Sequence, residues 1–215
     1  MAIAAAAWSD PIVRAILAGC AIVFLLGLWD DRLCLRPLAK LGGQTLAAVV
    51  AIALGLRLDL SGQAFVDIPL LVVWIVGITN AFNLSDNMDG LSAGLAAIGA
   101  AGFCAVASLS GNDSLAIVAL ALCGACVGFL RYNFSPATIF MGDAGSMVIG
   151  FALSVIGVRV VSASYLPMAP FIPVLVLGVP IFDTGLVSWL RYREGRSIGD
   201  GGSDHTSHRL RSLGL

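Results

Sequence analysis

The sequence predicts an all-α fold: a polytopic integral membrane bundle of about seven transmembrane helices. Three observations carry that prediction. Hydrophobic residues make up 59% of the chain and charged ones only 12%, whereas soluble globular chains are about a quarter charged. The mean hydropathy is +0.96. Apolar runs close to the ~20 residues that cross a ~30 Å hydrocarbon core recur along the whole chain, each closed by charged or turn residues.

The elements follow in order. A first span, Pro11 to Leu28, ends at Trp29-Asp30-Asp31-Arg32. The second, Leu38 to Leu56, lies between Arg36-Pro37 and Arg57. The third, Ile68 to Phe82, starts after Asp67 and ends at Asn83. The fourth, Leu91 to Leu109, follows Asp89-Gly90, and the fifth, Leu115 to Leu130, ends at Arg131. Gly142-Asp143-Ala-Gly145 opens the sixth, Ser146 to Val161. The seventh, Met168 to Leu190, carries Pro170, Pro173 and Pro180, each of which removes a backbone donor, so this helix is expected to be bent or broken. Such interruptions survive in a bilayer where neighbours or a cavity satisfy the backbone, which makes a groove and a packed kink equal readings. Residues 1–190 are thus expected to form the transmembrane domain and residues 191–215 a His- and Arg-containing tail. Met1 to Ala7 has neither a basic n-region nor a cleavage-like ending, so no signal peptide and no preceding soluble domain are expected.

Seven spans place successive loops on alternating sides. One side then holds Arg32, Arg36, Lys40, Arg131, Arg191, Arg193, Arg196, Arg209 and Arg211, nine of the twelve basic residues. By the positive-inside bias that side is cytoplasmic. The net charge of −1 and the lack of a basic tract give no support to a nucleic-acid partner. Of the five cysteines only Cys34 lies outside an apolar run, which argues against a disulfide framework. Cys123-Gly-Ala-Cys126 sits mid-span among small residues, where helix packing explains it better than redox chemistry.

Parity also gathers carboxylates. Asp30, Asp31, Asp86, Asp89 and Asp143 all fall on the cytoplasmic side, together with Asn83, Asn133, His205 and His208, whereas Asp59, Asp67 and Asp113 scatter on the other. A lipid-embedded chain has little reason to collect acids on one face unless a multiply charged partner, most simply a divalent cation holding phosphates, sits among them. The adjacent pair Asp30-Asp31 points in two directions from one helix end and can divide labour, or form a solvated end with Arg32. Asn80-Ala-Phe-Asn83-Leu-Ser-Asp86-Asn87-Met-Asp89-Gly90 sets two carboxylates at i, i+3. Asp86 as an N-cap of the next helix, with Asp89 in its positive first turn, is the plainer alternative. Asp143 lies in a glycine-bounded turn that opens a helix, where backbone can approach a ligand and phosphate is favoured, so Mg²⁺ bridging carboxylate and phosphate is the favoured reading over a simple cap. In the tail, His205-Thr-Ser-His208-Arg209 lacks the third ligand a zinc site needs, which leaves phosphate contact or a solvated basic tail. Asp183 lies inside the last span and is expected to face the protein interior.

The runs Gly27 to Gln44, Asn80 to Gly94, Gly128 to Gly150 and Pro180 to Leu215, in that order, resemble the polyprenyl-phosphate N-acetylhexosamine-1-phosphate transferase family, glycosyltransferase family 4. The likeness is to the UDP-GlcNAc branch more than to the muramyl-pentapeptide branch. It implies transfer of a sugar-1-phosphate from a UDP-N-acetylhexosamine to undecaprenyl phosphate, releasing UMP, as the first step of lipid-linked cell-wall or O-antigen glycan synthesis. The implied setting is the bacterial inner membrane, with catalytic loops in the cytoplasm and a homodimer left open. The implied cofactor is Mg²⁺, with Mn²⁺ as a substitute. By the same resemblance Asp143 and Asp86 would ligate the metal, Asp30 would act as base or acceptor-phosphate positioner, and Asp31 would support it. Asn83, Asp86 and Asp89 would bind the nucleotide region, Asn133 and Phe140 would line the pocket, and His205, His208 and Arg209 would contact the diphosphate. The chain looks shortened at both ends, and Ser207 stands where the branch usually has a third histidine. A catalytically inactive family member is therefore one alternative, and a cation-coupled transporter another; the transporter would spread ionisable residues through the membrane depth, which only Asp183 does here.

Overall fold

The computed structural model describes residues 11–163 and 168–195. Among the described residues every regular element is a helix: α1 (Pro11–Leu33), α2 (Pro37–Ala53), α3 (Ala64–Ser85), α4 (Leu91–Leu109), α5 (Asp113–Asn133), α6 (Gly142–Ser162), α7 (Phe171–Val176) and α8 (Gly178–Arg193). Five of them, α1, α3, α4, α5 and α6, are long and apolar enough to cross a membrane, and α2 is a shorter apolar helix of 17 residues. The protein is a multi-pass helical membrane bundle. The last expected span is broken into two helices, as its prolines predict. Pro180 has no N–H for the Val176 carbonyl, and Leu177 leaves helical geometry at φ −99°, ψ 20°.

α6 is the central post. Its most apolar stretch is 78% buried, against 22 to 44% in the other four long spans. It packs against α1, α3, α4 and α5, while α4 pairs with α5, and α3 also touches α2 and α8. Lipid is as apolar as leucine, so association in a membrane relies on close packing and interhelical hydrogen bonds, and small residues permit it. At Gly150 a methyl group would lie 2.8 Å from Thr79 Cα, so α3 and α6 run almost backbone to backbone. The buried face of α4 is built from Ala93, Ala96, Ala97, Gly99 and Ala100.

These packings bring six helix ends to one end of the bundle: the C-terminal ends of α1, α3 and α5 and the N-terminal ends of α2, α4 and α6. Alternation of the loops requires that arrangement, and hydrogen bonds span it. At the opposite end Asp67 is 5% exposed and accepts bonds from the Ser61 amide at 3.0 Å and the Ser61 hydroxyl at 2.9 Å, which ties down the turn before α3.

Candidate functional site

α1 runs through Trp29-Asp30-Asp31 and stops at a tight turn in which Cys34 adopts φ +48°. The Cys34 amide donates to the Asp30 carbonyl at 2.9 Å and the Leu35 amide to Asp30 Oδ1 at 2.6 Å. Pro37, pre-set for a first helical turn, then starts α2 back along α1. This reversal lays Lys40 over Asp30. Its ammonium forms an ion pair with Asp30, donates to Asp143 Oδ2 at 2.7 Å and reaches Asn83 Oδ1 at 3.5 Å. Asn83 in turn donates through Nδ2 to Asp143 Oδ1 at 2.8 Å and to Ser146 Oγ at 3.0 Å. Three helices thus meet on the Asp143 carboxylate, and α1 joins them through the Asp30–Lys40 ion pair.

One turn deeper in the membrane the same helices are joined again. Asn80 Nδ2 donates to Gln44 Oε1 at 2.6 Å, and Gln44, with no exposed surface, donates back to Asn80 Oδ1 at 3.4 Å.

Asp31 points the other way from its neighbour, as adjacent positions on a helix must. Its two oxygens accept from the backbone amides of Asp143 at 2.8 Å and Ala144 at 3.3 Å, so it supplies the anion that the positive start of α6 favours. Gly142, at φ +66°, makes the contact possible: a methyl group there would lie 2.9 Å from Asp31 Oδ2. The helix start expected to attract phosphate is therefore held by the protein's own carboxylate, which fixes the backbone of Asp143 and leaves its side chain aimed at Lys40 and Asn83.

Beside this network lies a cavity of about 320 Å³ lined by Asp31, Asp86, Asp89, Asn133, Phe140 and Asp143, among others. Phe140 is 74% exposed at its rim. Asp86 follows the last turn of α3 rather than capping α4, whose preceding residue is Gly90 at φ +73°. Burial pushes the Asp86 carboxyl up to about 7, and the negative charges of Asp143 and Asp31 add to the rise. Asp89 and Asn133 serve the wall. Asp89 Oδ2 accepts from the Ala137 amide at 3.0 Å, and Asn133, 3% exposed, accepts from the Gly90 amide at 3.0 Å and donates to the Ile139 carbonyl at 3.0 Å. Together they strap the loop before α6 to the turn before α4.

The structure thus brings Asp30, Asp31, Asn83, Asp86, Asp89, Asn133, Phe140 and Asp143 to one end of the bundle, in three different situations. Asp86, Phe140 and Asp143 face the cavity with free oxygen lone pairs or an open ring face. Asp31, Asp89 and Asn133 line it but spend side-chain atoms on backbone groups. Asp30 is 6% exposed and lies behind Lys40, outside the cavity lining, with one oxygen on the Leu35 amide. His205, His208, Arg209 and Ser207 lie outside the described residues. Asp183, 8% exposed on α8, faces inward as expected. Sequence reasoning missed Lys40, Gln44 and Ser146. The available signal was Lys40 and Gln44 at i, i+4 opposite Asn80 and Asn83 at i, i+3, two polar stripes in otherwise apolar runs.

The donor chemistry suits a hard divalent cation. Among the described residues no three acidic, histidine or cysteine side chains converge to enclose an ion. Mg²⁺ needs no such cage: it takes one or two carboxylates and completes its shell with water and substrate phosphate. Asp143 and Asp86 supply that number.

A multi-pass membrane protein organised around a carboxylate-rich polar site at one end of its bundle is the class that fold and site define. Within that class, the model of the family described as Glycosyl transferase family 4 matches residues 13–161. The chain belongs to that family. Among its relatives, the Bacillus subtilis (strain 168) protein named "Probable undecaprenyl-phosphate N-acetylglucosaminyl 1-phosphate transferase" is 37% identical over 99% of this chain and 62% of its own length. The Mycobacterium tuberculosis (strain CDC 1551 / Oshkosh) "Decaprenyl-phosphate N-acetylglucosaminephosphotransferase" is 36% identical over 93% of this chain and 57% of its own. A "Phospho-N-acetylmuramoyl-pentapeptide-transferase" from Chlorobaculum parvum (strain DSM 263 / NCIMB 8327) matches at 36% over only 61% of the chain. The chain spans about three fifths of the length of the first two relatives.

Proposed function

We propose that the protein transfers an N-acetylhexosamine-1-phosphate, most simply GlcNAc-1-phosphate, from its UDP derivative to undecaprenyl phosphate at the cytoplasmic face of a bacterial inner membrane. The observation that carries this reading is the convergence of Lys40, Asn83 and Asp143 beside an open, Asp86-lined cavity at the end of a membrane bundle. The names of the two N-acetylglucosaminyl relatives support the sugar and the polyprenyl phosphate. The fuller coverage by those relatives than by the muramoyl-pentapeptide enzyme supports an amino-sugar donor.

In this reaction an oxygen of the acceptor phosphate bonds to the phosphorus that carries the sugar, the bond from that phosphorus to the UMP oxygen breaks, and UMP departs with the electron pair. Both reactants are anionic, so the barrier falls chiefly through positioning and charge neutralisation. Asp143 and Asp86 would hold Mg²⁺, or Mn²⁺ in its place, which when bound neutralises charge on the phosphates. Asn83 orients Asp143, Asp31 fixes its backbone, and Phe140 offers a ring face to the nucleotide base. Asp30 is assigned to holding Lys40 rather than to removing a proton, since the phosphate monoester, with a second pKa of about 6, is already largely ionised near neutrality. Asp89 and Asn133 keep the pocket wall in place. The His205, His208 and Arg209 tail is assigned to the diphosphate on family likeness alone.

The test is Mg²⁺-dependent release of UMP from UDP-GlcNAc and undecaprenyl phosphate by the purified full chain. Release that requires both substrates and the metal is expected. Absence of turnover with every UDP-amino sugar tried would reject the transferase reading in favour of an inactive family member.

The position of Asp86 adds a pH dependence. Below about pH 7 its carboxyl carries a proton in the folded, metal-free protein, and a proton competes with a cation for the same oxygens. Divalent-ion affinity, followed by Mn²⁺ titration, should fall as pH drops from 8 through 6, and Asp86→Asn should flatten the profile. Stability should move oppositely. Because the folded value is raised, ionising Asp86 costs stability as pH rises from the ordinary carboxylate range to about 7, and metal should restore it. A wild-type profile that is flat between pH 6 and 8 would contradict this role.

A further inference from the structure

The least explained feature of the site is that Asp143 already has a cation. The Lys40 ammonium is 2.7 Å from Asp143 Oδ2, Asn83 occupies Oδ1, and Lys40 also pairs with the nearly inaccessible Asp30. A divalent ion bonded to Asp143 at ~2.1 Å would lie within ~5 Å of that ammonium, in a partly buried setting that screens their repulsion poorly. Lysine has a flexible stem and three donors, so it can leave one carboxylate and keep another.

We infer that Lys40 is a placeholder cation: it occupies the divalent ion's share of Asp143 in the metal-free protein, and metal loading displaces it onto Asp30. The inference rests on the proposed metal role of Asp143 and deepens it. It gives Asp30 a reason to be buried where substrate does not reach, as the partner that retains Lys40 on a short tether when Asp143 is taken. It also couples two events. The N–H that Lys40 withdraws from Asp143 becomes free to meet a phosphate oxygen at the moment the metal arrives, so the site gains a cation and a donor together.

A fixed structural ion pair predicts the opposite, since removing Lys40 would then disorder Asp143 and weaken the metal. The two are separated by Mn²⁺ binding to the full chain in detergent, read by electron paramagnetic resonance or calorimetry without nucleotide or lipid. Lys40→Met should tighten Mn²⁺ by tenfold or more, and Lys40→Arg should leave it within threefold of wild type. The double variant Asp30→Asn/Lys40→Met removes one charge of each sign, so no Asp30 carboxylate is left buried without its cation. It should also tighten Mn²⁺, and it carries the test alone where Lys40→Met does not fold. Unchanged or weaker binding in the methionine variants would overturn the inference. Tightening in Lys40→Met but not in the folded double variant would also overturn it, because that pattern reports a general field rather than competition for Asp143. No Mn²⁺ binding by any of the proteins would overturn it together with the metal assignment. UMP release by wild type alongside unchanged Mn²⁺ affinity in the methionine variants rejects the placeholder alone. Tightened Mn²⁺ with no turnover rejects the transferase reading alone.

Discussion

Asp143→Asn should reduce Mg²⁺-dependent UMP release by on the order of 10³-fold, the scale of losing one charge-stabilising group at a developing oxyanion. The substitution keeps the volume and an oxygen for the Asn83 amide at Oδ1, but it removes the charge that would hold the metal and the partner that Lys40 now shares. The fold should survive, because Lys40 retains Asp30, and Asp31 holds the backbone amides of residues 143 and 144 regardless of the side chain there. Thermal unfolding in detergent should therefore stay close to wild type while turnover and Mn²⁺ affinity collapse together. Equal activity in the variant would remove Asp143 from the metal site.

Gly27→Ala should fail for the opposite reason, through packing with no change in charge. A methyl group at Gly27 would lie 2.4 Å from Ala144 Cα and 2.5 Å from Ala144 N, and these are backbone atoms that cannot rotate aside. α1 and α6 must separate, which costs about 1–3 kcal/mol as overpacking. The separation falls where Asp31 grips the start of α6, so Asp143 moves with it. A misplacement of about 1 Å can cost about 10²-fold in rate. The expected result is a lowered midpoint of thermal unfolding together with a loss of UMP release of that order. Gly77→Ala is the control: nothing lies within 4 Å of a methyl group there, so UMP release should be unchanged and the midpoint should not fall. Wild-type behaviour of Gly27→Ala would mean that α1 and α6 do not meet as described.

The architecture was legible because membrane spans announce themselves by length and hydropathy, and because loop parity leaves no freedom in which helix ends share a face. Apolarity alone did not predict that Leu177 would divide the last span, although three prolines marked it as weak. The site was legible as a group of residues and much less so as a set of roles. Asp30 and Asp31 read as a pair that divides labour, but which labour was not legible: one is buried beneath a lysine and the other caps a helix more than a hundred residues away in sequence. No local pattern encodes that difference, since it depends on α6 passing α1 at Gly27. Lys40 was counted only as a topological charge. A cation at the mouth of a span serves orientation in most membrane proteins, and only the return of α2 along α1 places it among three acceptors. The resemblance implied that Asp89 binds the nucleotide region and Asn133 lines the pocket; both do line it, and what the sequence did not reveal is that each also holds a backbone group of a neighbouring loop.

The reciprocal amide pair between Gln44 and Asn80 has a geometrical consequence. Two apolar helices in lipid can slide along each other with little change in contact energy, since lipid tails replace lost side-chain contacts. An amide pair inside the membrane is satisfied at one alignment only. It therefore works as a register mark between α2 and α3. A slip of a single helical turn, about 5.4 Å, would break it and carry the Lys40 ammonium out of reach of both Asn83 and Asp143. The distance between charges at the polar end is thus set by an uncharged pair one turn below it, where water cannot compete for the same bonds.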